Sequence, residues 1–372
     1  NIKLENEKAI KTSKPHFIDH IPVGDYILEE SIVPYKDGYV KSEDIEIEVK
    51  ESGNVQTAFM EDDYTALEIK KYDTKTGKVL DNLHRATLSL YKANVDENGE
   101  VVLKKTIDSS GKEVELPTYE KNNLVVTWNT DDGASVEASG RVISNEYGET
   151  YTKYEYKKIK IKGQTNAYYY ITEKGSTRFD YLPVGKYVLV EENTPIGYAT
   201  ANDMLIDIKD IGSKKEVAYY EMGDVPLRVN IHKQNLGKVV KDATLEIYKL
   251  GKDGIKEEKP MYSFITGSDG VYTEVDAKEG IIPEGYEIGD LKPHLIEYIP
   301  LGKYVLVEKI TPFGFIKAKD VEFEIVDTPN IQNVHMEDEI PKGSLNLIKL
   351  DSESKKLLKG AKFSYKNKTT GE

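Results

Sequence analysis

The 372-residue sequence contains no cysteine. Disulfide bonds, cysteine nucleophiles and cysteine-based zinc or iron–sulfur sites are therefore excluded. With 51 basic and 65 acidic residues the net charge is −14, which makes nucleic acid and anionic membrane surfaces poor partners, and we expect neither. No run approaches 18 apolar residues, so no membrane span is predicted in this segment. The chain opens without a secretory signal and stops in the middle of a repeated pattern, so we expect a piece of a longer protein.

Helix-type hydrophobic periodicity is also scarce, and the residues that are abundant favour strands and turns. The sequence holds 26 tyrosines, 28 glycines and 14 prolines. Aromatic and β-branched residues are typical of strands, and glycine and proline of the turns between them. The composition therefore predicts an all-β protein, and the length predicts two to four domains.

A repeated pattern organises the chain. Its centre is a Pro-x-Gly turn that leads into alternating apolar residues and ends in a glutamate, which predicts a turn feeding a strand. A proline follows each glutamate by four residues, and a glycine–aromatic pair comes next. The three copies occupy residues 20–30, 181–191 and 298–308 and end at Glu30, Glu191 and Glu308.

Two further patterns open and close each unit. The opening strand alternates apolar residues and ends in a lysine, and the copies of this lysine are Lys71, Lys233 and Lys349. The closing strand ends in Met-x-Asp, and the copies of this aspartate are Asp62, Asp224 and Asp338.

The order of these patterns predicts four segments. Residues 1–63 match the second half of a unit, and residues 341–372 match the first half of another. Residues 64–224 and 225–340 are complete units, and the first carries an insertion near 105–170. The junctions are short, which favours a rod of tandem domains over loosely tethered ones.

Strand alternation places the repeated charges on the apolar side of their strands. Lys71 shares a face with Leu67 and Ile69, whereas Lys70 falls on the opposite face. The same parity selects Glu191 over Glu192, and Glu30 over Glu29. Each complete unit is therefore predicted to point one lysine, one glutamate and one aspartate into its core.

Two interpretations of such a trio remain open. Burial disfavours the charged forms, so the inexpensive state is a neutral amine beside protonated carboxyl groups. In that state the amine can attack a carboxyl carbon while the second carboxyl moves the protons, and loss of water leaves an amide. The alternative is a buried ion-pair cluster with no covalent chemistry.

These motifs resemble the collagen-adhesin B-type domain, also called Cna-B or SpaA-type. The resemblance covers most of the chain and is weakest over residues 1–15 and 105–170. It implies tandem immunoglobulin-like β-sandwiches of the prealbumin-like, or reverse, kind in a Gram-positive surface protein. It also implies spontaneous isopeptide bonds that need no cofactor, with a glutamate as catalyst.

Carried over residue by residue, the resemblance implies that Lys71 bonds Asp224 under Glu191. It likewise implies that Lys233 bonds Asp338 under Glu308. Glu30 and Asp62 would serve a domain whose lysine lies before residue 1, and Lys349 one whose partners lie beyond residue 372. The second complete unit departs from the family pattern, with Lys-Gln-Asn in place of Lys-x-Asp.

The resemblance further implies an extracellular place on the bacterial cell wall. Attachment to peptidoglycan by sortase, and contact with a host surface protein or extracellular matrix, would use parts of the full-length protein outside this segment. A stalk is preferred over a polymerising pilin, because no Tyr-Pro-Lys motif is present. A glycosidase using the carboxylate pairs is disfavoured, because it needs an open cleft.

Other candidate sites are weaker. His16 and His20 have the spacing of a helical metal-binding pair but lack a third ligand. The acidic turns at 96–99 and 267–270 lack the downstream glutamate of a calcium-binding loop. We therefore expect no bound metal. An aromatic patch in the insertion could bind a host ligand or glycan, although packing of extra strands explains it better. Its candidate members are Trp128, Tyr147, Tyr151, Tyr154 and Tyr156.

Overall fold

The computed structural model describes residues 15–80, 85–131, 141–144, 150–153, 156–210, 216–366 and 368. Regular structure in these ranges is almost entirely β-strand, which confirms the all-β prediction; the exceptions are a 3₁₀ turn at Tyr35–Asp37 and helix α1 at Glu274–Lys278. No helix in the described ranges is both long and apolar enough to span a bilayer. The chain forms two compact units, residues 1–195 with 199–225, and residues 196–198 with 226–372.

Within the described ranges, sixteen strands precede residue 227. They are β1 (Gly24–Leu28), β2 (Ile45–Val49), β3 (Ala66–Asp73), β4 (Thr87–Ala93), β5 (Leu103–Ile107), β6 (Glu113–Pro117), β7 (Tyr119–Asn129), β8 (Arg141–Ser144), β9 (Thr150–Lys153), β10 (Ile159–Lys160), β11 (Tyr168–Ile171), β12 (Thr177–Asp180), β13 (Gly185–Asn193), β14 (Tyr198–Ala199), β15 (Met204–Ile208) and β16 (Val217–Pro226).

The described part of the second unit contains eight further strands. They are β17 (Arg228–Asn235), β18 (Lys238–Val239), β19 (Thr244–Lys249), β20 (Tyr262–Ile265), β21 (His294–Glu297), β22 (Gly302–Ile310), β23 (Val321–Ile325) and β24 (Ile331–Glu337).

The first unit contains a β-sandwich. One sheet has the order β10-β11-β12-β3-β16-β14 and the other the order β15-β13-β4-β7. Leu67 and Phe179 from the first sheet pack in one buried cluster with Leu88, Tyr187 and Leu189 from the second. Strands β1 and β2 form a separate antiparallel pair in residues 15–63.

The second unit repeats this arrangement with fewer strands. Strand β17 pairs with β18, β21 and β24, and the other sheet has the order β20-β19-β22-β23. Buried side chains again come from both sheets, including Val229 and Ile231 on β17 and Leu245 and Leu306 on the facing sheet.

The first and last strands of each sandwich are parallel neighbours. Lys71 on β3 lies opposite Met222 on β16, and Lys233 on β17 lies opposite Met336 on β24. Alternation then puts the aspartate two residues after each methionine on the lysine's side of the sheet. The pairing of two strands from opposite ends of a unit therefore brings the opening and closing motifs together.

Part of the segment predicted to be an insertion belongs to the sandwich itself. Strand β7 pairs with β4 as β20 pairs with β19 in the second unit, so residues 119–129 are scaffold. Trp128 on β7 is 1% exposed, lies edge-on to Phe179 at 4.9 Å and donates its Nε1 hydrogen to Thr177 Oγ1 at 3.0 Å. The additional elements in the described residues are the hairpins β5–β6 and β8–β9, together with β10 and β11, which extend the first sheet beyond β12.

A glycine joint connects residues 15–63 to the sandwich within the first unit. Gly38 has φ 81°, and a Cβ on it would overlap the carbonyl oxygen of Tyr181. The Tyr39 and Tyr181 rings meet edge to face at 5.5 Å, and the amide of Thr65 donates to Gly38 O at 2.9 Å. Only glycine permits both the positive φ and the close backbone approach.

Gly38→Ala tests this joint. Because backbone on both sides must move to admit a methyl group, we expect the Thr65–Gly38 hydrogen bond to open more often. Amide hydrogen exchange at Val40 and Thr65 should accelerate at least ~10-fold, equivalent to about 1.4 kcal/mol. Gly99→Ala is the control, because Gly99 has φ 79° and a Cβ on it would meet no atom within 4 Å. Equal acceleration in both variants would contradict a specific joint.

Candidate functional site

The candidate site of the first sandwich joins its first and last strands. Lys71 on β3 and Asp224 on β16 have side chains that are 2% and 0% exposed. The Lys71 Nζ atom contacts Asp224 Oδ1 directly. Because the two strands run parallel and side by side, this contact joins residues that are 153 positions apart in the chain.

The second carboxylate comes from the facing sheet. Glu191 lies on β13, its side chain is 0% exposed, and its Oε1 is 2.8 Å from Lys71 Nζ. Its other oxygen, Oε2, accepts a hydrogen bond from the amide of Ala201 at 2.9 Å. A backbone hydrogen bond therefore holds one oxygen of Glu191, while the carboxyl group faces both the Lys71 amine and Asp224.

The second sandwich has the same site. Lys233 on β17 contacts Asp338, the residue after β24, and its Nζ is 3.0 Å from Glu308 Oε1 on β22. The amide of Ala318 donates to Glu308 Oε2 at 2.7 Å, ten residues after the glutamate as in the first site. The three charged side chains are fully buried.

Burial dominates the electrostatics of both aspartates. Desolvation raises the pKa of Asp224 to about 7; the Lys71 ammonium opposes this shift and Glu191 adds to it. Burial likewise raises the pKa of Asp338, against the effect of Lys233. The second oxygens, Asp224 Oδ2 and Asp338 Oδ2, are buried without a hydrogen-bond partner among the described residues. Both features favour loss of the negative charge on the aspartate.

Each neighbour that strand parity places on the opposite face makes contacts at the surface. Lys70 pairs with Glu221 at 2.9 Å, and Glu192 accepts a hydrogen bond from the Tyr91 hydroxyl at 2.7 Å. Glu29 pairs with Lys41 at 3.2 Å, and both side chains are exposed. Lys71 and Glu191 thus point inward and their neighbours outward, as the alternation of strand residues predicts.

The remaining predicted site residues lie in the terminal segments. Glu30 Oε2 accepts hydrogen bonds from the amide and hydroxyl of Ser42 at 3.1 and 3.2 Å. Desolvation and the nearby Glu30 raise the pKa of Asp62, although a hydrogen bond with Ser42 opposes this shift.

Lys349 has an exposed side chain, and its backbone carbonyl accepts a hydrogen bond from the Leu358 amide at 3.0 Å. The Lys71 carbonyl accepts from Leu80 in the same way, at 3.1 Å.

The weaker candidates have mixed outcomes. Within the described ranges no three metal-ligating side chains cluster. Trp128 is a core residue and is not available for an aromatic patch, whereas Tyr156 is half-buried and its hydroxyl contacts Glu173. Tyr147, Tyr154 and the side chain of Tyr151 lie outside the described residues.

Sequence reasoning missed the groups that hold the two glutamates. These are the amides of Ala201 and Ala318, each ten residues after its glutamate. A backbone donor leaves no side-chain signature, so only the equal spacing after the two glutamates could have pointed to it.

No known protein family and no curated protein matches the sequence. Solved structures with similarity include the Bacillus anthracis TIE protein, with 20% identity and a TM-score of 0.33 over 86% of this chain and 42% of that one. A streptococcal ancillary pilin has 14% identity and a TM-score of 0.25 over 86% and 76% of the two chains. The shaft pilin SpaA of Lactobacillus rhamnosus GG has 14% identity and a TM-score of 0.24 over 76% of this chain and 99% of that one. Of these three matches, the TIE protein is the one of which this chain spans less than half.

Lys71→Met tests the electrostatics of the first site. Without the Lys71 ammonium, the carboxyl groups of Glu191 and Asp224 are buried together. In the folded chain Asp224 then keeps its proton, whereas in the unfolded chain it releases this proton near the ordinary aspartate pKa of 3.8. Burial and Glu191 raise the folded-state pKa of Asp224, and the variant lacks the lysine that opposes this shift, so stability is present at low pH and is lost as the pH rises. We expect the free energy of unfolding to fall by roughly 2–3 kcal/mol between about pH 5 and about pH 8, measured with urea.

Lys70→Met is the matched control, because it removes the adjacent lysine from the opposite face. Loss of its surface pair with Glu221 should change stability by less than about 1 kcal/mol. The same pH dependence in both variants would contradict a buried carboxyl pair.

Proposed function

We propose that this chain is a stalk region of a cell-wall-anchored Gram-positive surface protein, stiffened by amides between Lys71 and Asp224 and between Lys233 and Asp338. One observation carries the proposal: the same buried lysine, aspartate and glutamate occur in both sandwiches, with the lysine against the aspartate. The attraction within a buried ion cluster seldom exceeds the free energy that its desolvation costs. The recurrence of such a cluster in two units therefore favours a chemical role.

The reaction follows from the contacts of the first site. The neutral Lys71 Nζ attacks Cγ of the protonated Asp224 carboxyl, and a C–N bond replaces the C–O bond to the hydroxyl group. Glu191 lies within 2.8 Å of Nζ, so it can take a proton from the nitrogen and return it to the departing hydroxyl as water. One amine and one carboxyl group give one amide and one water, and no cofactor is consumed.

The position of the bond explains a mechanical role. The amide would tie the first strand of a sandwich to its last strand, closing 153 residues in one unit and 105 in the other. Loop-closure arguments developed for disulfides give about 5 kcal/mol for links of this length. Tension applied at the two ends of a unit would pass through the amide without separating the strands.

Burial also weighs against an enzyme acting on an external substrate. A glycosidase places its two carboxyl groups on either side of a sugar, in contact with solvent. Glu191 and Asp224 are instead sealed between two sheets, with fully buried side chains. The proposed stalk would act on the cell surface, with peptidoglycan attachment and host contacts made by other parts of the protein.

Intact mass under denaturing conditions tests the two amides. The chain is expected to weigh two water molecules less than its sequence predicts. Glu191→Gln should lose one water only, because Gln cannot transfer the protons in the first unit, and Glu308→Gln should lose one water only for the same reason in the second.

Glu192→Gln is the control for this measurement, since Glu192 is adjacent to Glu191 but exposed on the opposite face. It should retain the loss of two waters. If the chain has the full mass of its sequence, neither trio has formed an amide and both are ion clusters. The mechanical proposal would then be wrong.

The amide should also govern the stability of its own unit. In Glu308→Gln the free energy of unfolding of the second unit is expected to fall by about 5 kcal/mol. Hydrogen exchange at the core amides of Leu306 and Val334 measures this change. Glu324→Gln, at an exposed position of β23, should leave their exchange unaltered. A similar, small effect in both variants would argue against a covalent link.

A further inference from the structure

The two complete units differ immediately after the lysine of the site. The first unit reads Lys71-Tyr-Asp73, and the second reads Lys233-Gln-Asn235. In each unit the differing residue is the last residue of the strand that carries the lysine, β3 in the first unit and β17 in the second. The turn that follows this strand is also different in the two units, and it gives a physical reason for the substitution.

In the first unit a four-residue turn, residues 74–77, follows the strand. Asp73 Oδ1 accepts hydrogen bonds from the amides of the second and third residues of this turn, at 2.7 and 3.1 Å. The first residue of the turn, Thr74, lies against the closing strand, where its amide and its hydroxyl donate to Asp224 O at 3.0 and 2.9 Å. Asp73 thus shapes the turn, and Thr74 holds the backbone carbonyl of the reacting aspartate.

A third copy of the opening strand has the same turn. It reads Lys349-Leu-Asp351, and Asp351 Oδ1 accepts from the amides two and three residues later, at 3.2 and 2.7 Å. Four residues again separate the aspartate from Lys356, whose carbonyl accepts from the Asp351 amide at 2.9 Å. A residue with a hydroxyl group, Ser352, again follows the aspartate. In both places an aspartate after the lysine accompanies a four-residue turn.

In the second unit a two-residue turn replaces the four-residue turn. Leu236 and Gly237, between β17 and β18, have φ values of 50° and 79°. Positive φ at both central positions is the type I′ geometry of a two-residue hairpin. Leu236 takes the place of Thr74, but it has no hydroxyl group and is 91% exposed. Among the main-chain hydrogen bonds of the described residues, none joins the Leu236 amide to Asp338.

The side chain of Asn235 supplies the donor that the shorter turn lacks. Its Nδ2 group donates to Asp338 O at 2.8 Å, and the amide of Asp338 donates to Gln234 O at 2.8 Å. These two hydrogen bonds attach both sides of Asp338 Cα to the end of β17, while the side chain contacts Lys233. An ionised aspartate in place of the asparagine could not donate, because a carboxylate only accepts hydrogen bonds.

We propose that Asn235 is the positioning residue of the second site and holds the backbone of Asp338 so that its carboxyl carbon faces the Lys233 amine. This inference rests on the proposed amide. Asn235 acts through the backbone of Asp338. Because a misplacement of about 1 Å can slow a reaction between two held groups ~100-fold, fixing the backbone next to the carboxyl group raises the rate of amide formation.

The rate of amide formation tests this role. The full chain with Glu191→Gln is made by cell-free synthesis and stopped with denaturant at intervals, so that the loss of one water in its intact mass reports the second unit alone. Asn235→Ala is expected to slow this loss at least ~10-fold. Gln234→Ala is the matched control, because it removes the neighbouring side-chain amide, which contacts Glu337. It should keep the rate of the chain with Gln234.

Asn235→Asp separates the hydrogen bond from the shape of the side chain, because the two side chains have nearly the same size. It also restores the Lys-x-Asp pattern, so packing alone predicts a normal rate. At neutral pH the carboxylate cannot donate to Asp338 O, and we expect the same ~10-fold or greater slowing. Protonation near the ordinary aspartate pKa of about 3.9 creates a donor, so the ratio of the variant rate to the rate with Asn235 should rise as the pH falls from about 7 to about 4.

Amide hydrogen exchange gives a readout that does not require the covalent bond. In the chain with Glu308→Gln, which is expected to lack the second amide, Asn235→Ala should accelerate exchange of the Asp338 amide at least ~10-fold. Gln234→Ala should leave this exchange unaltered, because the Asp338 amide donates to the backbone carbonyl of Gln234 and not to its side chain.

Failure of the proposed function and failure of this inference give different results. If the chain with Asn235 loses no water from the second unit, but Asn235 still protects the Asp338 amide, the proposed amide is wrong although the contact exists. Equal rates of water loss with and without the Asn235 side chain would overturn the inference. A normal rate for Asn235→Asp at neutral pH, or unchanged exchange at Asp338 in Asn235→Ala, would overturn it as well.

Discussion

The contact of a buried lysine with two buried carboxyl groups is the constraint on which each sandwich depends. Three ionisable groups lie between two sheets where water cannot stabilise their charges, and an isolated buried charge is strongly unfavourable. The amine against the aspartate and the backbone amide behind the glutamate offset part of that cost. The second oxygen of each aspartate has no hydrogen-bond partner in the described structure, so burial favours the uncharged form of the aspartate.

The same strand links this site to the glycine joint. Thr65 is held against Gly38 immediately before β3, and Lys71 lies on that strand six residues later. In the second unit Leu227, whose amide donates to Gly197 O, immediately precedes β17, and Lys233 lies on that strand six residues after Leu227. The joint therefore holds the start of the strand whose inward face carries the lysine.

Much of the site could be predicted because strand geometry is local. A side chain changes face at every residue, so the positions of Leu67 and Ile69 decide that Lys71 points inward and Lys70 outward. The repeat of the motifs shows which lysine, glutamate and aspartate belong to one unit. Similarly, the glycine–aromatic pairs were visible in the sequence, but nothing in their spacing indicated that they dock on the tyrosine of a proline–glycine turn.

The sequence by itself determined the strand content, the repeat and the inward face of each charged residue, because these depend on neighbours a few positions away. Only the tertiary structure decided that Glu191 approaches Lys71 from the facing sheet, that β3 and β16 pair in parallel, and that Trp128 belongs to the core and not to a surface patch. Each of these depends on which strands meet across many residues of chain. Local alternation carries no information about that choice, which is made by the packing of the two sheets.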